Sequence, residues 1–550
     1  MLVKASILRV FAAFAIIWAS LASVASAIAN IPFDDAVLGP KNILVVTAPA
    51  SGHANPLLVL AYELASRGHN ITFVTSTSYS VPEYGRNSTI HFHLFQEAVP
   101  IAAAMGQASK QISSSSSSMF SIISRIQSIR MMSKILGPLE YQTIQEVITK
   151  IDTKSTDLII GGIFFGPGAD VLGEVLGIPV ILHYPLNFRN HHSPSNLYLD
   201  SLTITPHDGV ADPKLTVAFV LKAIPIRIVG LVGRIMRRND RRQMFKWVKT
   251  TLSEHLPQVQ GPPQPIVGLI SNEWGFHPAQ LTNPSMRMGG IWVPAAQDFR
   301  FHPELKEWLD SAERPVVYVS TGTVAQPTNE TLLAFFDAFS TTTEFQTVWS
   351  LKKGLQSNLK ELLGDREWPK HVYVHHFVPQ LAVLEHPSVN VFFTHGGWNS
   401  VSEGLWSGTP MLGMPFFGDQ NYNVAQSVKL GLALSIDKAI MTTSDTAGTT
   451  HLIQEKLHCL IREPSFAEQS RQARRTFRAM GGVKKGADIV EEILEIGNTR
   501  AYAFPDNLDA VTAAFEILAA SGAIAAFGTY KLGSWGFKRL FKSAPKKKIE

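Results

Sequence analysis

Short aliphatic runs alternate with helical spacing in the first part of the chain. Residues 42–47 form an aliphatic run, and the apolar residues of 56–66 then recur at intervals of three and four. A second aliphatic run follows over 71–75. Strand, helix and strand joined by short links predict a βαβ unit of a parallel sheet. His53 is predicted to lie in the loop after the first strand.

The same alternation returns further along the chain. A strand is predicted over 157–165 and a helix over 169–176. Residues 97–150, between these units, predict a looser region. A third stretch, 217–249, combines large aliphatic residues with six arginines. It predicts a basic amphipathic helix, which either lies in a membrane interface or packs its apolar face on the body.

The later half predicts a second α/β domain. Val316 to Ser320 is an aliphatic strand that ends at Thr321-Gly322-Thr323, and helices and strands alternate from there to about residue 434. We therefore expect an N-terminal domain over 38–292, a linker over 293–313 and a C-terminal domain over 314–500. Because ligands of open α/β sheets bind at the carboxyl ends of the strands, two facing domains predict a cleft.

The most informative stretch runs from Phe377 to Gln420. Inside it, the mostly apolar run 389–393 ends in Thr394-His395-Gly396-Gly397, and a helical pattern with Glu403 follows. Backbone N–H groups and the helix dipole make such a helix start an anion site. The stretch thus predicts a site for a phosphate-bearing ligand. Taken alone, the turn also fits an ordinary strand–turn–helix unit.

This stretch closely resembles the donor-binding signature of UDP-dependent glycosyltransferases of the GT-B fold. The family signature has the same length, opens with an aromatic residue and Pro-Gln, and ends in Asp-Gln. The resemblance implies an α/β fold of two facing Rossmann-like domains with an interdomain cleft. It also implies a role for each donor-binding residue. Phe377, where the family usually has Trp, would stack on uracil, Gln380 would contact the uridine, and Glu403 would bind the ribose hydroxyls. The diphosphate would be held by His395, Gly397, Asn399 and Ser400 with Thr323 nearby, and the sugar by Asp419 and Gln420.

His53, in Gly52-His53-Ala54-Asn55-Pro56, matches the catalytic histidine of the same family. A histidine of near-neutral pKa suits a general base that takes the proton of an acceptor hydroxyl. The resemblance implies attack from the face opposite UDP and hence inversion. The sequence holds no Asp-x-Asp pattern of the kind that metal-dependent transferases use, so we expect no metal and no cofactor besides the UDP-sugar co-substrate. The other interpretation of His53 is a structural histidine.

The chain departs from the family at one position. The family usually places an aspartate, which orients the base histidine and raises its pKa, where this chain has Gly162. Asp170 or Glu174 could reach back to supply a carboxylate. Two hypotheses follow: an inverting transferase acting on a small lipophilic acceptor, with glucose the expected sugar, or a catalytically impaired UDP-sugar-binding or regulatory protein on the same fold.

Composition and the two ends of the chain predict a membrane-anchored protein. The chain is 45% hydrophobic and has a net charge of +5. It has no basic stripe with interleaved aromatic residues, so the sequence does not indicate nucleic-acid binding. Residues 1–27 predict a signal peptide, or an uncut anchor. Residues 510–530 predict a transmembrane helix, or an amphipathic helix, before the basic tail 531–550.

These segments together predict a single-pass type I protein of the endoplasmic reticulum membrane with a lumenal body. The terminal Lys547-Lys548-Ile549-Glu550 resembles a dilysine retrieval signal. Sequons at Asn70, Asn87 and Asn329 could carry glycans in that compartment. A membrane anchor also motivates the lipophilic acceptor, because substrates dissolved in the membrane reach such a site easily.

Overall fold

The computed structural model describes residues 39–82, 89–98, 122–185, 236, 238–257, 266–272, 285–294, 298–322, 327–416, 419–437 and 445–497. Within these residues, seven strands form one parallel sheet and six form a second. The first sheet contains β1 (Asn42–Val46), β2 (Asn70–Ser76), β3 (His91–Phe95), β4 (Leu158–Gly162), β5 (Val180–Tyr184), β6 (Val267–Ile270) and β7 (Met286–Met288). The second contains β8 (Val316–Ser320), β9 (Gln346–Ser350), β10 (Val372–His375), β11 (Val389–Thr394), β12 (Met411–Gly413) and β13 (Ala433–Ser435).

Both sheets have the same strand order apart from one extra edge strand. The orders are β3-β2-β1-β4-β5-β6-β7 and β10-β9-β8-β11-β12-β13. Each order reverses at one place, between β1 and β4 in the first sheet and between β8 and β11 in the second. In open parallel sheets ligands bind at such switch points, beyond the carboxyl ends of the strands. The prediction of two Rossmann-like α/β sheets is confirmed.

Helices cover both faces of each sheet, as parallel strands require. The described helices are α1 (Ser51–Ser66), α2 (Ile122–Lys150), α3 (Gly166–Leu176), α4 (238–251), α5 (Pro303–Asp310), α6 (Asn329–Ser340), α7 (Lys353–Leu363), α8 (Gln380–Glu385), α9 (Trp398–Ser407), α10 (Gln420–Lys429), α11 (Thr446–Arg462), α12 (Pro464–Ala479) and α13 (Val483–Ile496). None of the helices among the described residues has the length and apolar character needed to span a membrane.

The two faces of the first sheet carry separate cores. Side chains alternate between faces along a strand, so Ile43 and Val45 of β1 point one way and Leu44 points the other. The first face packs against α1, whereas the opposite face packs against α2, α3 and α4. Groups on α1 and groups on α3 therefore lie on opposite sides of the sheet.

Helix α13 packs on the first sheet although it follows the second in sequence. Val490 and Ile493 lie in the core beside α1. Arg67, at the end of α1, pairs with Asp488 at 2.7 Å and with Glu491 at 2.6 Å. Our predicted C-terminal domain, 314–500, includes α13. The apolar stripe of α13 is nevertheless buried against the N-terminal domain.

Two regions that we predicted to be loose contain helices. Residues 97–150 hold the 29-residue helix α2, even though Gly137 and Pro138 interrupt its pattern. The predicted linker, 293–313, holds α5, whose Leu305 and Leu309 are buried in a core of the second sheet. In both cases tertiary burial of an apolar face overrides a weak local signal.

The described part of the basic stretch packs on the protein body. In α4, Met244 and Val248 are buried against the first sheet. For residues 238–249 this favours the packed-helix interpretation, while 217–235 lie outside the described residues. The predicted signal peptide, transmembrane helix, basic tail and the sequon at Asn87 also lie outside them.

Candidate active site

The imidazole of His395 lies in a slot between two glycines. His395 follows β11 directly, at the switch point of the second sheet. A Cβ added to Gly322 would lie 2.5 Å from its Cε1, and one added to Gly397 would lie 2.4 Å from its Nε2. Gly322 also has a φ of +74°, which side-chain-bearing residues rarely adopt. The two glycines therefore let the backbone approach the ring from both sides.

His395 is neutral at physiological pH. Burial, with a smaller contribution from the charge of Lys352, lowers its pKa to about 4, while a backbone hydrogen bond at Ser320 opposes this shift. Its Nδ1 is buried and has no hydrogen-bond partner within the part of the chain that the structure describes. A neutral imidazole at this position can offer a ring N–H to an anion without carrying a full charge.

Helix α9 begins one residue after the slot. Its N-cap is Gly397, and no described side chain caps the helix start. Asn399 and Ser400 stand in the first turn. The first N–H groups of a helix have no partner inside the helix, so this end can receive an anion. The turn thus has the chemistry expected for the predicted diphosphate site.

A cluster of buried polar side chains surrounds the first turns of α9. The hydroxyl of Tyr318 donates to Oε1 of Gln380 at 3.0 Å, and Nε2 of Gln380 donates to Ser400 Oγ at 3.3 Å. Burial raises the pKa of Glu403 to about 7, while a hydrogen bond from Gln380 opposes that rise. Oε2 of Glu403 is buried without a hydrogen-bond partner among the described residues. Such an oxygen is a ready acceptor for ligand hydroxyls.

Phe377 and the Asp419-Gln420 pair flank this group. Phe377 follows β10, and half of its side chain is exposed, so its ring is available for stacking. Asp419 accepts a 2.7 Å hydrogen bond from Asn423, and burial raises its pKa. Oε1 of Gln420 accepts the backbone N–H of Phe416 at 2.8 Å. Thr323, the remaining predicted donor residue, lies outside the described residues.

His53 lies at the switch point of the first sheet, in the first turn of α1 rather than in a loop. The helix starts five residues earlier than we predicted, because the backbone N–H groups of His53 and Ala54 already bond to Ala50 O at 2.8 and 2.9 Å. Pro56 obscured this start in the sequence, because it lies inside the helix and cannot donate the backbone hydrogen bond to Gly52 O. Burial lowers the pKa of His53 to about 3. The imidazole is therefore a neutral base.

Gly162, the last residue of β4, has little free space beside it. A Cβ at this position would lie 2.8 Å from Oγ1 of Thr47 and 3.4 Å from Cδ1 of Leu57. Leu57 is four residues after His53, so both side chains share one face of α1. A side chain at position 162, where the family has an aspartate, would therefore contact Leu57, one helical turn after His53. Thr47 occupies the space that this side chain would need.

Asp170 and Glu174 do not reach His53. Both carboxylates pair with Arg241 of α4. Their helix, α3, packs on the face of the sheet opposite to α1. The idea that one of them replaces the missing aspartate is therefore wrong, because the sheet stands between them and the histidine.

The profile described as "UDP-glucoronosyl and UDP-glucosyl transferase" matches residues 41–469. The chain belongs to this family. It is therefore a UDP-glycosyltransferase, an enzyme that takes its sugar from a UDP-sugar donor.

Similar proteins span most of this UDP-glycosyltransferase. UDP-glycosyltransferase UGT4 of Dactylopius coccus is 28% identical over 423 residues, which cover 72% of this chain and 76% of that protein. Human UDP-glucuronosyltransferase 2B7 is 23% identical over 446 residues, which cover 77% of this chain and 78% of that protein.

Solved structures share the fold. The glycosyltransferase of kitacinnamycin superimposes with a TM-score of 0.55 at 21% identity, over 83% of this chain and 99% of that one. Arabidopsis thaliana UGT89C1, complexed with UDP-L-rhamnose, gives a TM-score of 0.54 at 17% identity, over 84% of this chain and all of that one. At such identities the likeness shows the two-domain GT-B α/β fold alone, and it confirms that part of the prediction.

Among the described residues, Lys352 brings a positive charge to this site that no motif in the sequence predicts. Lys352 follows β9, the neighbour of β8 in the second sheet, and its charge lowers the pKa of His395. Burial lowers the pKa of Lys352 itself to about 8, so it remains mostly charged at neutral pH. Its position two residues after the end of a strand was the signal available in the sequence.

Proposed function

We propose that this UDP-glycosyltransferase transfers a hexose, most readily glucose, from a UDP-sugar to a hydroxyl of a small lipophilic acceptor. The transfer inverts the anomeric carbon and uses no metal ion. The observation that carries this proposal is that His53 and His395 lie at the switch points of the two sheets, and that the start of α9 contacts the residue before His53. Nδ2 of Asn399 in α9 lies 3.4 Å from the carbonyl oxygen of Gly52, the residue before His53.

In the proposed donor site, residues of the C-terminal domain bind successive parts of the UDP-sugar. Phe377 stacks on uracil and Gln380 contacts the uridine. The carboxylate of Glu403 accepts both ribose hydroxyls, and His395 with the start of α9 holds the diphosphate. Asp419 and Gln420 bind the sugar hydroxyls. These roles match the exposed ring, the unsatisfied carboxylate oxygen and the uncapped helix start described above.

The proposed chemistry needs two features of this cleft. His53 takes the proton from the acceptor hydroxyl while that oxygen forms a bond to the anomeric carbon and the bond from this carbon to UDP breaks. His53 is unprotonated at neutral pH and so can accept this proton, although its lowered pKa makes it a weaker base than the near-neutral histidine that we expected from the sequence. The leaving UDP carries the released negative charge, which His395 and the α9 dipole stabilise. The proton leaves His53 to solvent after the product departs.

Gly162 keeps a second candidate function open. Because Thr47 fills the place of the family's aspartate, His53 has no carboxylate at that position to orient it. On this ground the protein could bind UDP-sugars without transferring them, as a sensor or regulatory partner. The predicted endoplasmic reticulum anchor serves either function.

The test is an assay of the full-length protein in microsomes with UDP-glucose, UDP-glucuronic acid and UDP-N-acetylglucosamine. Phenols, sterols and lipid alcohols serve as acceptors, and mass spectrometry identifies the products. We expect acceptor-dependent UDP release, greatest with UDP-glucose and unchanged by EDTA. UDP binding without transfer to any acceptor would support the second candidate instead.

The shifted pKa values of His53 and Glu403 predict that kcat and the KM for the UDP-sugar depend differently on pH. The pKa of His53, about 3, keeps the base deprotonated as the pH falls from 8 to 5, so kcat should stay nearly constant on the acid side. The pKa of Glu403, about 7, means that its carboxylate is protonated over the same range. The KM for the UDP-sugar should therefore rise about tenfold, because charged hydrogen bonds to the ribose are lost.

Steady-state kinetics at several pH values measure both quantities. In Glu403→Gln the KM for the donor should be high and independent of pH. A kcat that falls with an apparent pKa near 6.5 would contradict the neutral, buried state of His53.

A further inference from the structure

Trp398 joins the donor helix to the other domain. It is the first residue of α9, and its indole is almost fully buried. Nε1 of Trp398 donates to the backbone oxygen of Ser271 at 2.8 Å, across 127 residues of sequence. Ser271 follows β6 of the first sheet directly. One buried hydrogen bond thus ties the start of the helix beside His395 to the carboxyl edge of the N-terminal sheet.

The segment that accepts this hydrogen bond is itself held by buried contacts. Oγ of Ser271 is 3.0 Å from Nε2 of His183, which lies in β5 and is fully buried. The His183 ring stacks on Trp292 with centroids 4.7 Å apart and planes 13° from parallel. In the β4–β5 register, His183 stands directly opposite Gly162. Trp398 is therefore linked to the strands that surround the catalytic end of α1.

The next residue of α9 makes a second contact across the cleft. Nδ2 of Asn399 lies 3.4 Å from Gly52 O. Inside a helix this oxygen would accept an N–H from four residues later, but that residue is Pro56, which has none. The proline thus leaves a carbonyl beside His53 that the C-terminal domain can reach. Two consecutive residues of α9 therefore contact the N-terminal domain, one at Ser271 and one at the residue before the proposed base.

We propose that Trp398 is a positioning residue that sets the distance between His53 and the sugar held by the donor site. A donor bound at the start of α9 holds this helix, and the indole N–H holds the same helix against the N-terminal sheet. Misplacement of reacting groups by about 1 Å can cost roughly a hundredfold in rate. The inference rests on the proposed role of His53 as the base.

Trp398→Phe removes the indole N–H and keeps an aromatic ring. We expect kcat to fall about tenfold or more, with the KM for the UDP-sugar and the affinity for UDP changed less than about threefold. Trp308→Phe is the matched control, since Nε1 of Trp308 donates to Lys370 O at 3.2 Å entirely within the C-terminal domain. Because the Trp308 hydrogen bond is exposed, the control should lose less thermal stability than Trp398→Phe, and it should keep its kcat.

Equal kcat values for the two variants would overturn the inference, as would a loss confined to donor affinity. Ser271→Ala provides a second variant if Trp398→Phe folds poorly. It loosens the segment that accepts the indole N–H, so it should lower kcat about threefold without changing the KM for the donor. An unchanged kcat in Ser271→Ala, together with a poorly folded Trp398→Phe, would also count against the inference.

Hydrogen exchange separates this inference from the proposed function. UDP should protect the backbone amides of residues 51–55 in the parent protein and in Trp308→Phe, but not in Trp398→Phe. If the parent transfers no sugar yet shows this difference, the proposed function fails and the coupling stands. If transfer occurs and both Trp variants show the same protection and the same kcat, only the positioning role fails.

Discussion

Replacing His53 by alanine is expected to lower kcat by about 10²–10⁴-fold, the usual contribution of a general base. The side chain is buried in the first turn of α1, and its lowered pKa keeps it unprotonated at neutral pH. The affinity for UDP should change less than about threefold, because the nucleotide site belongs to the other domain. Product formation and UDP titration calorimetry on the same preparation measure the two effects.

Two controls make this result specific. His53→Gln keeps a polar side chain of similar size but has no base, so it should be as inactive as the alanine variant. His451→Ala removes an exposed histidine of α11 and should leave kcat unchanged. Transfer at the parental rate in His53→Ala would refute the assignment of the base.

Gly322→Ala is expected to weaken UDP binding about tenfold to a hundredfold. The added Cβ would lie 2.5 Å from Cε1 and 2.6 Å from Nε2 of His395, so the imidazole must leave its slot. The φ of +74° adds a backbone cost of about 1–2 kcal/mol for a residue with a side chain. UDP titration calorimetry measures the loss of affinity, and thermal unfolding measures the accompanying destabilisation.

Gly354→Ala is the matched glycine control in the same domain. It lies in α7, and no described atom beyond its immediate neighbours stands within 4 Å of the added Cβ. Alanine at such a helical position should stabilise the protein by about 0.4–1 kcal/mol and leave UDP binding unchanged. If Gly322→Ala bound UDP as tightly as the parent, the slot around His395 would have no role in donor binding.

The nucleotide side of the site could be predicted because its residues are close together in sequence. Within residues 377–420, a strand, a glycine turn and a helix follow one another, so local geometry brings His395, Ser400 and Glu403 to one end of one helix. The structure places Gln380 within 3.3 Å of Ser400, as that local order suggests. The ligand roles of these residues stay predictions until they are tested.

The surroundings of His53 could not be predicted in the same way. Asp170 and Glu174 follow β4 closely in sequence, yet the right-handed crossover places α3 on the face opposite to α1. Thr47, which fills the place of the absent aspartate, is 115 residues from Gly162. Lys352 stands beside His395 only because β9 and β8 are neighbours in the sheet. Contacts of this kind depend on how strands assemble, which spacing along the chain does not report.

The sequence by itself determined the family, the pair of parallel sheets and the residues of the donor signature, because these depend on periodicity and on groups within a few turns of each other. The tertiary structure alone decided that α13 returns to the first sheet and that Gly162 faces Thr47. It also decided that Trp398 and Asn399 bridge the two domains. These features arise from burial of apolar faces and from hydrogen bonds between distant segments, and neither leaves a local pattern in the chain.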